Sequence, residues 1–352
     1  MVSDQLFLLI IAGGSGTRFW PKSTSVRPKQ LLAFGEQGTL LEQTLRRFDA
    51  VVPEKPAHRI IITTRKLEAA VAEELKGVKI LAEPQGRNTA PCVYWGAREV
   101  AAKNPDAILL VMPADHYIPR HDDFLRTLRE AAEWAATHDD LVTLGVRPTR
   151  PETGYGYLKV GKPAKTGSSC VSVEAFVEKP NEEKAREFVE SGNYLWNGGM
   201  FLWKAKTILD AFDQFMPEMK KAWDASGGDV EKAYPLLSAT SIDYGVMEKA
   251  RNVVSFPLDC GWDDLGSWTS LENIADALGA RRGDNVATGG ELLAVESSGN
   301  IVDAPNRLIA LLGVDDLIVV ESGQSILVAK KSRAQDIRLI VDALKKQRPE
   351  LV

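Results

Sequence analysis

The residues best suited to chemistry stand near the start of the sequence. A run of small residues, Ala12-Gly13-Gly14-Ser15-Gly16-Thr17, leads directly into Arg18, and Lys29 follows within Arg27-Pro28-Lys29-Gln30. Glycines let a backbone approach a phosphate closely and aim several N–H groups at it, while a guanidinium and an ammonium supply the charge that a triphosphate needs. The segment therefore reads as a phosphate cradle. It is not a P-loop, because no Gly-Lys-Ser/Thr follows. It also departs from the dinucleotide fingerprint, because Phe19 takes the place of the third glycine. A glycine turn alone is equally well explained as chain geometry; the pairing of Arg18 with Lys29 is what favours phosphate.

A cradle of this kind needs a rigid support. Leu6 to Ala12 is continuously apolar and stops at the glycines, as a parallel strand covered on both faces would. Similar runs at Arg59 to Thr63, Ala107 to Met112 and Leu141 to Val146 alternate with helix-like stretches at Lys66 to Leu75, Thr89 to Lys103 and Asp123 to Thr137. That alternation predicts an α/β fold with a doubly wound, mostly parallel mixed sheet. Asp115 falls just after a predicted buried strand, where open α/β sheets present ligand-facing groups, although an aspartate there also serves as a helix cap.

From Gly154 the texture changes to polar–apolar alternation at Tyr155 to Val160 and Val171 to Val177, then an amphipathic helix, Glu182 to Glu190, and an aromatic segment, Trp196 to Trp203. After Gly283 come short β segments, Leu292 to Glu296, Ile301 to Asp303, Leu308 to Leu311, Leu317 to Glu321 and Ser325 to Ala329, closed by a helix over Arg333 to Lys346. The expected division is a catalytic domain over residues 1–282 and a small β-rich domain over 283–352.

Composition narrows the function class. The sequence has 352 residues, of which 44% are hydrophobic and 26% charged, the balance of an ordinary globular chain. A formal net charge of -5 removes the global electrostatic case for nucleic acid or an anionic membrane as partner. The three cysteines, Cys92, Cys170 and Cys260, are far apart and form no C-x-x-C pair, so they read as small buried hydrophobes. Leu6 to Ala12 is far short of the roughly 20 residues that cross a bilayer, and no basic segment precedes it. A cytoplasmic enzyme is the expectation.

The segment Ala12 to Leu32, AGGSGTRFWPKSTSVRPKQLL, resembles the signature of the sugar nucleotidyltransferases, and most closely that of the mannose-1-phosphate guanylyltransferases. Seven later segments resemble that family in order: EPQGRNTAP (Glu83 to Pro91), MPADH (Met112 to His116), ETGYGY (Glu152 to Tyr157), VEKP (Val177 to Pro180), WNGGMF (Trp196 to Phe201), SIDYGVMEK (Ser241 to Lys249) and WDDLGSW (Trp262 to Trp268). The resemblance implies a Rossmann-like catalytic domain followed by a short left-handed β-helical piece, and transfer of GMP from GTP to mannose 1-phosphate, giving GDP-mannose and pyrophosphate.

Residue roles follow from the same resemblance. Arg18, Lys29 and Asp115 would be catalytic, with Ala12, Gly13, Gly14, Ser15, Gly16 and Thr17 on the nucleotide. Guanine would be read by Glu83, Asn88 and Thr89, although Asn88 and Thr89 also suit the cap of the following helix. Gly156, Glu178, Lys179 and Asn197 would take the sugar phosphate. Asp115 and Asp264 would hold Mg²⁺, which typically binds one or two carboxylates plus phosphate oxygens and water. Asp263 is an extra acid that would substitute as ligand or touch the sugar. Asp243 and Tyr244 resemble a pocket-supporting segment without an assignable role, and His116 is read as structural.

Two other readings stand beside this one: the same chemistry on another hexose 1-phosphate and nucleotide, and a non-catalytic subunit that senses GDP-mannose. The presence of Arg18, Lys29, Asp115 and Asp264 weighs against the second. An NAD-dependent dehydrogenase lacks its third glycine. Relatives carrying a phosphomannose isomerase domain are about a hundred residues longer, so a single activity is expected. A homodimer formed through the C-terminal β segments is also expected.

Overall fold

The computed structural model describes residues 3–14, 16–35, 38–165 and 167–352. Ser15 of the cradle lies outside the described residues. The chain packs as two units, each assembled from separated segments. The first takes in the residues up to Gly13, Arg47–Pro113 and Arg120–Cys260; the second takes in Gly14–Arg46, Ala114–Pro119 and Gly261–Val352. The expected boundary at residue 282 falls inside the second unit.

In the first unit, β1 (Leu6–Ile11), β2 (Arg59–Thr64), β3 (Lys79–Glu83) and β4 (Ile108–Pro113) run parallel in the order β3-β2-β1-β4. Leu8, Leu9 and Ile10 are fully buried, as a central strand covered on both faces requires. The helix Thr89–Ala101 lies against β1 so closely that a Cβ on its Gly96 would come within 2.5 Å of Leu9 Cδ2. Because these strands are parallel, their C-terminal ends share one edge, and Gly13 and Glu83 both emerge there.

The sheet then changes character. After β5 (Leu141–Val146), β6 (Tyr157–Pro163) and β7 (Val171–Val177), the aromatic segment forms β8 (Tyr194–Lys204), which pairs antiparallel with both β4 and β5. With β9 (Val253–Leu258) parallel to β5, the full order is β3-β2-β1-β4-β8-β5-β9-β7-β6. One end is doubly wound and the other is largely antiparallel. Helices Arg65–Glu74, His121–Thr137 and Glu182–Ser191 lie where the sequence pattern puts them. Asn181 caps the last of these through Lys184 N–H, and Gly192 at φ 69° ends it.

The second unit carries a five-stranded sheet: β10 (Arg281–Arg282), β11 (Asn285–Val295), β12 (Ile301–Leu312), β13 (Leu317–Ser322) and β14 (Ser325–Lys330). The pairings β11–β12 and β12–β13 are parallel, as successive turns of a β-coil require, and the outer two are antiparallel. The two short segments expected at 301–303 and 308–311 are one long strand. Its partner β11 follows it through a bulge at Gly289-Gly290, with Gly290 at φ 80°. The closing helix begins later than expected, at Ile337, because Lys331–Asp336 is wound as a tighter 3₁₀ segment. Ile301, Ile318, Val320, Leu327, Ile337 and Val341 share a core with Phe19, Trp20, Leu32, Phe34 and Trp268. The cradle segment is thereby built onto the C-terminal strands.

Candidate active site

In the second unit the glycine loop rests directly on the Lys29 segment. Gly16 has φ 54°, and a Cβ there would lie 2.4 Å from the Lys29 backbone nitrogen and 2.7 Å from Lys29 Cβ, so only glycine fits. Ser23 Oγ donates to the Gly16 carbonyl at 2.6 Å, and the Phe19 N–H donates to the same oxygen at 3.1 Å. Phe19, where a dinucleotide loop would have its third glycine, is an anchor instead. Its ring packs edge-on to Phe34 at 5.5 Å and tilts against Trp268 at 5.0 Å. Arg18 stays exposed, with Nη1 donating to Gln335 Oε1 at 3.4 Å.

Lys29 is the centre of this half. Its side chain is only 10% exposed; Nζ lies 2.9 Å from Asp115 Oδ2 and donates to the backbone carbonyl of Asp264. The two carboxylate residues expected at the metal are thus tied to one ammonium. Burial disfavours the charged form of the Asp115 carboxyl, but the Lys29 charge, assisted by His116 and by the Lys29 hydrogen bond, outweighs it and holds the carboxyl below its ordinary range. A Cβ on Gly266 would lie 3.1 Å from Asp264 Oδ1, so the glycine leaves room for that carboxylate to fold back. Asp263 differs from Asp264: it is buried, Oδ1 accepts from Leu265 N–H at 2.8 Å and Oδ2 from Asn273 Nδ2 at 2.8 Å. Its backbone pairs with Tyr117 in an isolated bridge, and the neighbouring His116 Nδ1 accepts from Trp262 Nε1 at 3.0 Å. These contacts hold the WDDLG turn beside Asp115.

In the first unit, Glu83 closes β3 and is buried. Gly13 stands beside it, a Cβ there lying 3.9 Å from Glu83 Oε2. Burial pushes the Glu83 carboxyl up from 4.5 to about 7, and the neighbouring Cys92, Tyr234 and Arg87 backbone pull it back only in part. None of them satisfies Oε1, which has no hydrogen-bond partner among the described residues; the Tyr234 hydroxyl has none either. Asn88 and Thr89 are engaged otherwise. Asn88, at φ 66°, caps its helix by accepting from Thr89 N–H at 2.9 Å, and Thr89 Oγ1 accepts from Ile242 N–H at 2.9 Å. Thr89 therefore fixes the segment that carries Asp243.

Gly156, Glu178 and Asn197 come together in the same unit. The Asn197 N–H donates to the Gly156 carbonyl at 2.8 Å, and a Cβ on Gly156 would lie 2.7 Å from Glu178 Oε2 and 3.5 Å from Asn197 Cβ. Lys179, at φ 44°, donates Nζ to Glu178 Oε1 at 2.7 Å, and that hydrogen bond raises the Lys179 pKa. Asn197 Nδ2 donates to Asp243 Oδ1 at 2.7 Å, while Asn197 Oδ1 accepts from Gly199 N–H at 3.1 Å. Burial keeps the Asp243 carboxyl above its ordinary range despite the Asn197 bond. Asp243, to which the sequence assigns no role, orients the Asn197 amide. That contact spans 46 positions, and no local pattern signals it.

The chain belongs to the nucleotidyl transferase family, whose profile matches residues 8–281. Residues 290–344 match the MannoseP isomerase/GMP-like beta-helix domain. Among curated relatives, a mannose-1-phosphate guanylyltransferase of Escherichia coli K12 is 35% identical, over 98% of this chain and 74% of that protein. The alginate biosynthesis protein AlgA of Pseudomonas aeruginosa is 36% identical, over 96% of this chain and 72% of its own length. A crystal structure of a Thermus thermophilus protein, described as mannose-1-phosphate geranyltransferase, superposes with a TM-score of 0.88 at 37% identity, covering 97% of this chain and 99% of that one. The described residues include no helix long and apolar enough to cross a membrane.

Proposed function

We propose that the chain transfers GMP from GTP to α-D-mannose 1-phosphate, releasing pyrophosphate and forming GDP-mannose. The observation that carries the reading is Lys29, nearly buried under Gly16 and held between Asp115 and the Asp264 carbonyl. A cation so placed beside a glycine loop serves a polyphosphate. The names and identities of the relatives supply the sugar and the base.

Attack by a mannose 1-phosphate oxygen on the α-phosphorus needs no general base, because the second pKa of a phosphomonoester is about 6 and the nucleophile is already largely dianionic. Positioning and charge neutralisation are what the chain must provide. Arg18, Lys29 and the backbone of Gly14 and Gly16 would hold the phosphates. Glu178, Lys179 and Asn197 would hold the sugar phosphate, with Asp243 fixing Asn197 and Gly156 leaving the space. Asp263, with one oxygen committed to its own turn and the other to Asn273 of the following helix, fits a supporting role for Asp264 better than sugar contact.

The donor set also fits a hard divalent cation, for which we take Mg²⁺. Asp115 and Asp264 offer two partly exposed carboxylates. That is the demand of an ion completed by phosphate oxygens and water. Bound there, it would neutralise phosphate charge that Arg18 and Lys29 alone leave uncompensated.

For the base, Glu83 is the strongest candidate, since a buried carboxylate with an unsatisfied oxygen suits the N1–H and amino donors of guanine. Its folded pKa of about 7 lies above the unfolded 4.5, so the stability it contributes is complete below pH 4.5 and is lost as pH rises through 7. Glu83→Gln, tested without nucleotide, should therefore melt above wild type at pH 8, with the gap closing toward pH 4.5. The same variant should lose roughly 10- to 100-fold of its preference for GTP over ATP, the value of a hydrogen bond to a charged acceptor. An unchanged preference would remove Glu83 from the base site.

The reaction itself is tested by pyrophosphate release with mannose 1-phosphate and Mg²⁺, run with GTP, ATP, UTP and dTTP and repeated with glucose 1-phosphate. Release strongly favoured by GTP with mannose 1-phosphate is the expected outcome. Another preferred pair would overturn the specificity, and no release with any pair would favour a non-catalytic sensing subunit.

A further inference from the structure

The cradle segment is gripped by residues some three hundred positions further along the chain. Lys22 Nζ donates to both carboxylate oxygens of Asp303 at 2.6 Å, with the Asp303 side chain only 3% exposed. Trp20 Nε1 donates to the Leu351 carbonyl at 2.9 Å and Ser25 Oγ to the Val352 carbonyl at 3.0 Å. Arg18 reaches Gln335 as described. The chain around Asp303 is shaped for this contact, because the β11 bulge puts Gly289 against the carboxylate, where a Cβ would lie 3.1 Å from Oδ1.

A buried carboxylate needs a cation, and Lys22 meets that need. The cation, however, sits in the one segment whose backbone conformation the site depends on. Lys22 is followed by Ser23, whose hydroxyl holds the Gly16 carbonyl, and Gly16 in turn rests on Lys29. The contacts therefore run from Asp303 through Lys22 and Ser23 to Gly16 and Lys29. We propose that Asp303, acting through Lys22, and Gln335, acting through Arg18, are positioning residues that set the cradle for the triphosphate from the C-terminal strands and the 3₁₀ segment that follows them. The proposal rests on the reading that the cradle binds the nucleotide phosphates, and it gives the C-terminal β segment a part in turnover.

The test compares Asp303→Asn, Lys22→Met, their double variant and Gln335→Ala with wild type for pyrophosphate release, with KM determined separately for GTP and for mannose 1-phosphate. Asp303→Asn keeps the shape and removes the charge. It should raise KM for GTP and so lower kcat/KM for GTP by about 10- to 100-fold, the scale of a small misplacement of the bound groups. KM for mannose 1-phosphate should stay at the wild-type value, because its candidate residues lie in the first unit. The double variant should be no worse than the poorer single one, since both break one contact. Gln335→Ala, on an exposed segment, should shift the same parameter in the same direction by a smaller factor.

Loss of folded protein alone would lower kcat and leave both KM values unchanged, and that result would overturn the proposal. So would wild-type kcat/KM for GTP in both Asp303→Asn and Gln335→Ala; with an active wild type the nucleotidyl-transfer reading would survive it. A wild type that releases no pyrophosphate from any pair would instead remove that reading and this proposal with it.

Discussion

Replacing Lys29 by alanine lowers kcat by roughly 10²- to 10³-fold, the loss expected when one electrostatic donor to a developing negative charge is removed. Two effects combine in that variant. The phosphates lose a cation, and Asp115 loses the partner that keeps it ionised: burial already disfavours its charged form, and the Lys29 charge is the largest influence opposing it. With Lys29 gone the Asp115 carboxyl rises. In wild type the folded carboxyl titrates below its unfolded 3.8, so its contribution to stability is complete above that value and is lost as pH falls through the folded one. The variant should lack this loss at low pH. A variant with wild-type turnover would contradict the role given to Lys29.

Gly16→Ala abolishes most activity for a different reason. The new Cβ meets the Lys29 backbone nitrogen at 2.4 Å, and φ 54° is unfavourable for any side chain. Relieving the clash requires the loop and the Lys29 segment to separate. A stability loss of about 1–3 kcal/mol is expected from the strain, together with a fall in kcat/KM for GTP of roughly 10²-fold from displaced phosphate contacts. Gly14→Ala makes the useful comparison: its φ of 121° is also unfavourable, but nothing lies within 4 Å of the added carbon. It should lose stability without displacing Lys29. Chemical denaturation of the two variants separates backbone strain from the clash with Lys29, and equal loss of stability in both would refute the steric account.

The cradle is readable in the sequence because its demands fall on neighbouring residues: glycines where the backbone must come close, and an arginine two positions after the last of them. The strands β1, β2, β4 and β5 are readable for a similar reason, being short apolar runs that stop at turn residues. Contacts between distant positions leave no such trace. Lys29 reads as a phosphate ligand, yet its pairing with Asp115 depends on how the ends of two separate segments meet. Asn88 and Thr89 suit both base reading and capping in the sequence, and their hydrogen bonds are those of capping and tethering. Asp263 and Asp264 are adjacent and chemically identical, and only the turn separates a buried carboxylate with committed oxygens from one that stays partly exposed. The grouping of residues 14–46 with 261–352 is likewise unreadable, since it is written in a shared core and not in a composition shift.

The tether between the cradle and the C-terminal strands also governs when the protein becomes competent during its own synthesis. The strands of β1 to β4 come from the first 113 residues and can pair while the rest of the chain is still being made. The partners of Lys22, Arg18 and Trp20 lie 281, 317 and 331 positions later. A ribosome adding about 5–20 residues per second needs on the order of half a minute to cover that interval. A nascent chain can thus own a formed sheet while its phosphate loop is unsupported, and catalytic competence waits for residues made some three hundred positions after the loop.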